Sequence, residues 1–283
     1  MALSHDARIA IVGAGKMGEA LVSGWLDCSK PPAGTIGARN LLAVNRSQER
    51  CDQLRRAYGI ACTLDLSEAL SADIVVIGVK PQVVPCVLAD LKRADPTGER
   101  MRSSVFVSIA AGLSTAAIEG MLFEGARVVR VMPNMPLMVA QGASGVCGGA
   151  ACASEDVAFV RDLFGCLGVA QIVPESDMDA VCALSGSGPA YVALMVESMR
   201  DAAIGEGLDA ETAERFALQT VYGTARYMLE RRIGPEQTRA SICSPNGTTV
   251  AALDAMVQAG FPEAVRAAVA AAARRSKELG NVQ

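Results

Sequence analysis

Residues 8–22 constrain the fold of this chain more than any other stretch. Arg8-Ile9-Ala10-Ile11-Val12 reads as a short buried β-strand, Gly13-Ala14-Gly15-Lys16-Met17-Gly18 fits G-x-G-x-x-G, and Glu19-Ala20-Leu21-Val22 reads as a helix. A strand, a glycine turn and a helix in that order open a dinucleotide-binding unit. Gly13 permits the tight turn, Gly15 lets the backbone approach a pyrophosphate, and Gly18 lets helix and strand pack. The helix N-terminus offers unpaired N–H groups and a positive dipole end to phosphate.

The next strands extend the pattern. Leu41-Leu42-Ala43-Val44 reads as the second strand and is followed by Asn45-Arg46-Ser47. A carboxylate commonly ends this strand where the cofactor is NAD, bonding the ribose hydroxyls. None stands here, and Arg46 and Ser47 suit a 2′-phosphate, so the expected cofactor is NADPH, with NADH the alternative. The competing reading is a solvated helix start at Ser47. The run Asp73-Ile74-Val75-Val76-Ile77-Gly78-Val79 suits a central parallel strand and leads into Lys80-Pro81-Gln82, at the edge where open α/β sheets bind ligands. Residues 104–109 read as another strand, ending in Ala110-Ala111-Gly112, whose small side chains leave room for a flat ring. Residues 127–131 read as a strand closed by Met132-Pro133-Asn134, residues 139–149 as edge strands, and residues 170–173 as a last strand.

From Ser176 onward strand-like runs give way to alanine-rich helical patterns, at roughly 177–184, 189–206, 210–232, 235–243, 249–259 and 262–279. The expected fold is α/β: an N-terminal doubly wound, Rossmann-type parallel sheet over 1–174, then an all-α domain over 175–283. Tyr191-Val192-Ala193-Leu194-Met195-Val196 has almost no polar face, so its helix needs burial, best supplied by a second copy of the chain.

Two stretches read as helix starts with chemical content. Leu184-Ser185-Gly186-Ser187-Gly188-Pro189 places Pro in a first helical turn after a Ser/Gly loop, and Ser244-Pro245-Asn246-Gly247-Thr248-Thr249 is a second such start. Either Thr248 or Thr249 can serve as a cap, a purely structural role. Alternatively, the exposed N–H groups hold a carboxylate without an arginine.

Composition narrows the classes. A net charge of -4 in 283 residues gives no reason to expect nucleic acid or an anionic membrane surface. No unbroken run of about 18 apolar residues is present, so no membrane span is expected. Nine scattered cysteines without a C-x-x-C pair fit reduced thiols and a cytoplasmic location. The single histidine, His5, sits near the N-terminus, and no metal site is expected.

These motifs together resemble the pyrroline-5-carboxylate reductase family. The resemblance runs through Gly13 to Gly18, Val79-Lys80-Pro81-Gln82, Ala110-Ala111-Gly112, Met132-Pro133-Asn134, 184–191 and 244–253, the last being the most specific. It implies hydride transfer from NAD(P)H to the C=N carbon of 1-pyrroline-5-carboxylate, giving L-proline. It also implies helical domains interlocked in a homodimer, with five dimers forming a decamer. By position, the substrate residues are Asn134, Ser187, Gly188, Ser244, Asn246, Gly247, Thr248 and Thr249. Backbone amides hold the carboxylate and the Thr249 hydroxyl sits near the ring nitrogen. Two positions depart from the family pattern: Asn246 replaces a glycine, and Met135-Pro136-Leu137-Met138 replaces smaller or more polar residues with a bulkier apolar wall.

The residue inventory fits an imine. A ketone reductase must protonate a developing alkoxide. Of the five lysines, only Lys277 lies in the helical domain, and that domain has no histidine. An imine protonated before binding accepts hydride directly and needs mainly orientation and a fixed electrostatic environment. Two other readings stay open on the residues alone. One is a reductase of a different cyclic imine carboxylate, and the other is a non-catalytic NADP-binding sensor.

Overall fold

The computed structural model describes residues 3, 6–29, 32, 34 and 36–280; His5 and part of the loop at 29–34 lie outside them. The chain divides into two compact units, 1–187 with 272–283, and 188–271.

The first unit is built on β1 (Ile9–Val12), β2 (Leu41–Val44), β3 (Ala61–Thr63), β4 (Ile74–Ile77), β5 (Val105–Ser108), β6 (Arg127–Met132), β7 (Gly142–Gly148) and β8 (Gly168–Ile172). They form one sheet in the order β3-β2-β1-β4-β5-β6-β7-β8. All neighbouring pairs are parallel except β6 and β7. The strand order reverses between β1 and β4, which opens a crevice at their carboxyl ends. Residues 139–149 thus supply an interior strand rather than edge strands, and β8 forms the edge. β3 has only three residues, too short to leave a pattern in the sequence.

Alternation along the strands makes two cores, because successive side chains point to opposite faces. Ile9, Ile11, Ile74, Val76, Val105 and Val107 face one cluster, with α1 (Lys16–Asp27) and α6 (Ser154–Gly165) packed on it. Ala10, Val12, Val75, Ile77 and Phe106 face the other, covered by α3 (Val84–Ala94), α4 (Glu99–Ser103) and α5 (Thr115–Met121). The single tryptophan, Trp25, is fully buried and donates Nε1–H to the Leu163 carbonyl at 3.0 Å. Its ring meets Phe164 edge-on at 5.9 Å. α2 (Gln48–Tyr58) follows β2.

The first unit runs past residue 174. α7 (Met178–Val181) packs on β7, with Met178 buried and Val181 so close to Gly145 that a Cβ there would meet it at 2.8 Å. The end of the last helix also belongs to this unit, where Ser276 Oγ donates to Asp179 at 2.6 Å.

The second unit is helical: α8 (Gly188–Gly205), α9 (Ala210–Arg231), α10 (Pro235–Ile242), α11 (Thr248–Gln258) and the first part of α12 (Phe261–Gly280). No residue of α8 is buried within the chain, and Leu194, Phe216, Leu218 and Leu229 are between 52% and 75% exposed. The apolar surface read from the sequence is therefore left unpartnered within one copy. The stretch Glu175–Gly205 is long and apolar enough by length and composition to cross a membrane. Isolated polar residues interrupt it, so it leaves no unbroken apolar run in the sequence.

Candidate active site

The glycine turn does what its sequence requires. Gly13 has φ +85°, and a Cβ there would sit 2.5 Å from Val79 Cγ1. Its N–H bonds the Val44 carbonyl at 2.9 Å, tying the turn to the end of β2. A Cβ on Gly18 would meet Ile11 Cγ2 at 3.2 Å, the close helix-to-strand approach. Around Gly15 the Cβ direction is open, with nothing within 4 Å. Gly15 is the N-cap of α1 and no side chain closes it, so the first-turn N–H groups from Lys16, Met17 and Gly18 have no capping partner. An open backbone cradle at an uncapped helix N-terminus fits a pyrophosphate.

The end of β2 also fits a polar ligand. Asn45 Nδ2 is buried and has no hydrogen-bond partner, a costly arrangement unless something accepts from it. Arg46 and Ser47 beside it are exposed. Ser47 Oγ accepts the Arg50 N–H at 3.4 Å and caps α2, so the solvated-cap reading of Ser47 holds. Its O–H and the Arg46 guanidinium still suit a phosphate. After β4, Gly78 lies so close to the turn that a Cβ would meet Gly13 O at 3.1 Å. Val79, Lys80, Pro81 and Gln82 follow at the same edge, Lys80 and Gln82 exposed. After β5, Ala110 is buried and Gly112 has φ +80°, with Leu279 and Gly280 of α12 against it.

Arg50 went unnoticed in the sequence, where a basic residue on an amphipathic helix looks like any other. In the fold it crosses from α2 to the glycine turn. Its Nε donates to the Ala14 carbonyl at 3.0 Å and its Nη2 to Glu19 Oε2 at 2.7 Å and the Gly15 carbonyl at 3.4 Å. Tyr58 O–H donates to the other Glu19 oxygen at 3.1 Å. The hydrogen bond from Arg50, with that from Tyr58, holds the Glu19 carboxyl below its usual range against a partial desolvation.

Asn134 is buried, and its side chain is committed to the protein. Its Oδ1 accepts from Ala143 N at 2.9 Å and its Nδ2 donates to the Ser185 carbonyl at 3.0 Å. Asn134, expected among the substrate residues, thus has both side-chain polar atoms engaged within the protein and acts as a brace. The Ser/Gly stretch after α7 is likewise no loop: residues Cys182–Gly186 form a π-helical turn that runs on into α8. Ser187 N–H bonds the Cys182 carbonyl at 2.9 Å. Pro189 has no N–H to give the carbonyl four residues back, which is that of Ser185. That carbonyl is the one Asn134 satisfies. π-Turns occur often at functional sites, and Ser187 and Gly188 are half-buried at its end.

Leu137 is buried and Met138 lines a 340 Å³ groove with Ser23, Asp27 and Cys28 along α1. Of the expected apolar wall, Leu137 and Met138 therefore lie on the α1 side, and both Met135 and Met138 are exposed.

A second network that the sequence did not reveal lies under the sheet edge. Arg130 pairs with Glu175, which also accepts Thr115 Oγ1–H at 2.7 Å. Burial opposes the Glu175 charge, but the Thr115 and Arg130 hydrogen bonds outweigh it and lower its pKa. Burial, with the adjacent Glu175 charge, pushes the Cys147 thiol up to about 12.

In the second unit, Ser244-Pro245-Asn246-Gly247 forms a β-turn. Gly247 N–H bonds the Ser244 carbonyl at 3.0 Å and Asn246 has φ +59°. Pro at the second position with a positive φ at the third is the type II pattern. Asn tolerates the left-handed conformation, which is how it replaces glycine here. A Cβ on Gly247 would fall 2.5 Å from Ser244 Oγ. Gly247 is the N-cap of α11, and no side chain caps it. Thr248 and Thr249 therefore do not cap, and the purely structural reading of this helix start loses its basis. Among the described residues no cluster of His, Cys, Asp or Glu could hold a metal ion.

Comparison with known proteins bears on both units. Residues 175–279 match the family described as pyrroline-5-carboxylate reductase dimerisation, and residues 8–112 match NADP oxidoreductase coenzyme F420-dependent. The chain is 41% identical to a pyrroline-5-carboxylate reductase of Corynebacterium melassecola, covering 96% of this chain and 98% of that one. It is 39% identical to one of Methanosarcina acetivorans over 98% and 99%. Among solved structures, a pyrroline-5-carboxylate reductase of Coxiella burnetii superposes with a TM-score of 0.89 at 33% identity, covering 97% and 98%. A Plasmodium falciparum pyrroline carboxylate reductase with NADP bound superposes at 0.83 and 30%, covering 98% and 100%.

Proposed function

Because the chain belongs to the pyrroline-5-carboxylate reductase family and reduces 1-pyrroline-5-carboxylate to L-proline with a nicotinamide cofactor, we propose that its cofactor is NADPH and that Thr249 orients the imine. The unpartnered Asn45 Nδ2 carries the cofactor reading. It stands with Arg46 and Ser47 where a carboxylate would repel a 2′-phosphate, and NADH remains the lesser cofactor.

When bound, NADPH supplies the hydride. The first-turn N–H groups of α1, from Lys16, Met17 and Gly18, together with Gly13, Ala14 and Gly15, would hold the pyrophosphate. Asn45, Arg46 and Ser47 would hold the 2′-phosphate. Val79, Lys80, Pro81 and Gln82, with Ala110, Ala111 and Gly112, line the rest of the cofactor's path. Backbone N–H groups of the Ser244-Pro245-Asn246-Gly247 turn and of Thr248 hold the substrate carboxylate, and Ser187 and Gly188 are substrate residues as well. Asn134 acts through Ser185, keeping the π-turn in place. The Thr249 hydroxyl accepts a hydrogen bond from the protonated ring nitrogen. No residue is needed as a proton donor, since the iminium arrives protonated.

By function the same reading takes 1–174 as the dinucleotide domain and 175–283 as the substrate and dimerisation domain, while as a packing unit the sheet domain continues through 187 and takes in 272–283. The protein is then a cytoplasmic homodimer, with five dimers in a decamer and no nucleic-acid or membrane partner. Support for pairing comes from the exposed apolar positions of α8 and α9 and from the matched dimerisation family.

Initial rates with 1-pyrroline-5-carboxylate and each cofactor test this. NADPH is expected to give the higher kcat/KM, and Arg46→Ala to narrow that preference about ten- to hundredfold, the worth of one hydrogen bond to a charged group. Equal use of NADH by the unaltered protein would overturn the NADPH assignment and leave the reaction standing.

A further inference from the structure

We propose that Arg50 is a positioning residue for the cofactor, holding the glycine turn in its phosphate-binding conformation and joining it to the N-terminus of α2. The proposal rests on the cofactor reading above. It deepens that reading by naming a residue outside the glycine motif and outside the 2′-phosphate group.

The argument starts from the peptide plane. In a trans peptide the C=O and the following N–H point in opposite directions. Arg50 takes the Gly15 carbonyl at 3.4 Å and the Ala14 carbonyl at 3.0 Å. The Gly15 carbonyl accepts the Glu19 N–H at 2.8 Å as the first bond of α1 and is held a second time by Arg50, with the Lys16 N–H pointing the other way as a free first-turn donor. The Gly15 N–H is already held by Gly13 O at 2.8 Å. A Cβ added at Gly15 would meet nothing within 4 Å, so no side-chain packing holds the turn from that side. A turn made of glycines loses much conformational entropy when it is ordered, so a brace already in place lowers that cost at binding.

The brace is itself anchored. Glu19 Oε2 accepts Arg50 Nη2 at 2.7 Å, and Tyr58 orients the same carboxylate from the end of α2. The Arg50 N–H goes to Ser47 Oγ, so one residue touches both the cap beside Arg46 and the turn after β1. The guanidinium fork makes these bonds at fixed angles that an ammonium cannot reproduce. Glu19 and Arg50 are about two-thirds or more buried, so this is not a freely solvated surface pair.

Binding of NADPH and of NADH to the full-length protein, read as Kd by cofactor fluorescence, separates the alternatives. Both cofactors share the pyrophosphate. Arg50→Gln is therefore expected to weaken both by the same factor, about tenfold, raising KM for each while kcat holds. Arg46→Ala is expected instead to shift the NADPH-to-NADH ratio. Glu19→Gln combined with Arg50→Gln should cost no more than Arg50→Gln alone, since both act through one contact. Binding by Arg50→Gln that matches the unaltered protein, even with a lowered Tm, would overturn the proposal. So would a loss confined to NADPH, which would make Arg50 a direct 2′-phosphate ligand. If Arg50→Gln does not fold, Arg50→Lys carries the same comparison, because it keeps the charge opposite Glu19 and loses the fork. An unaltered protein that binds neither cofactor would overturn the cofactor reading itself, before any variant is made.

Discussion

The carboxamide of Asn134 donates to the carbonyl of Ser185 at 3.0 Å, and that carbonyl is the one Pro189 leaves without its helical partner. Pro189 has no N–H to offer that carbonyl, and an asparagine just past the end of β6 supplies one. The same side chain accepts from Ala143 N at 2.9 Å, so it binds the end of β6 to the start of β7 and to the π-turn.

This gives a graded prediction. Asn134→Asp keeps the acceptor for Ala143 N and turns a carboxylate oxygen toward the Ser185 carbonyl. Asn134→Ala removes both bonds. Both variants are expected to lose about 1–3 kcal/mol in urea unfolding, as buried polar groups are left unsatisfied. Both should also lower kcat, through the displaced Ser187 and Gly188. Full activity and unchanged stability in Asn134→Ala would show that the brace is dispensable.

Thr249 tests the chemistry directly. Thr249→Ala should lower kcat/KM for 1-pyrroline-5-carboxylate about ten- to hundredfold, the worth of one hydrogen bond to a charged group at roughly 1.5–3 kcal/mol. Thr249→Ser keeps the hydroxyl and should recover most of the loss. Because α11 has no side-chain cap, the Tm of Thr249→Ala should stay near that of the unaltered protein. A fall in Tm with kcat/KM intact would return Thr249 to a structural role.

Asn246 tests the turn. With φ at +59°, Asn246→Gly should be tolerated, while Asn246→Val puts a β-branched residue in the left-handed region at roughly 1–2 kcal/mol. The expected reading is a raised KM for the imine in Asn246→Val and a near-normal one in Asn246→Gly. Equal KM values in the two variants would mean that the turn plays no part in substrate binding.

Glu175 governs an acid limb of stability. Its folded pKa lies below the ordinary 4.5, so the unfolded chain takes up the proton first as the pH falls. The contribution of the Arg130 pair is complete above that ordinary value and is lost as pH drops through the folded pKa. Tm profiles between about pH 7 and about pH 3 should therefore fall less steeply for Glu175→Gln than for the unaltered protein, starting from a lower value at neutral pH because Arg130 loses its counter-charge. Parallel profiles would remove Glu175 from the account.

The local chemistry of the chain was legible in its residues. G-x-G-x-x-G after an apolar run admits few backbone paths, and the positive φ of Gly13 and the close approach at Gly18 follow from side chains that are absent. Fully apolar four-residue runs required a sheet covered on both faces, and alanine-rich periodicity required helices. Asn246 with Pro245 defined a turn because few residues accept its angles.

What the sequence left undecided depends on residues far apart in the chain. Arg50 meets the Gly15 carbonyl across 35 positions, Asn134 meets Ser185 across 51, and Glu175 meets Thr115 across 60. No periodicity encodes such pairs, since each side chain looks like an ordinary polar residue in its own segment. The Ser/Gly stretch at 184–188 read as a loop because its composition favours one. In the fold it is a π-turn closed by the Ser187 N–H on the Cys182 carbonyl, and Asn134 bonds the Ser185 carbonyl within it. Local propensity determined the turns and elements of this protein, and only the tertiary structure decided which buried polar groups satisfy one another.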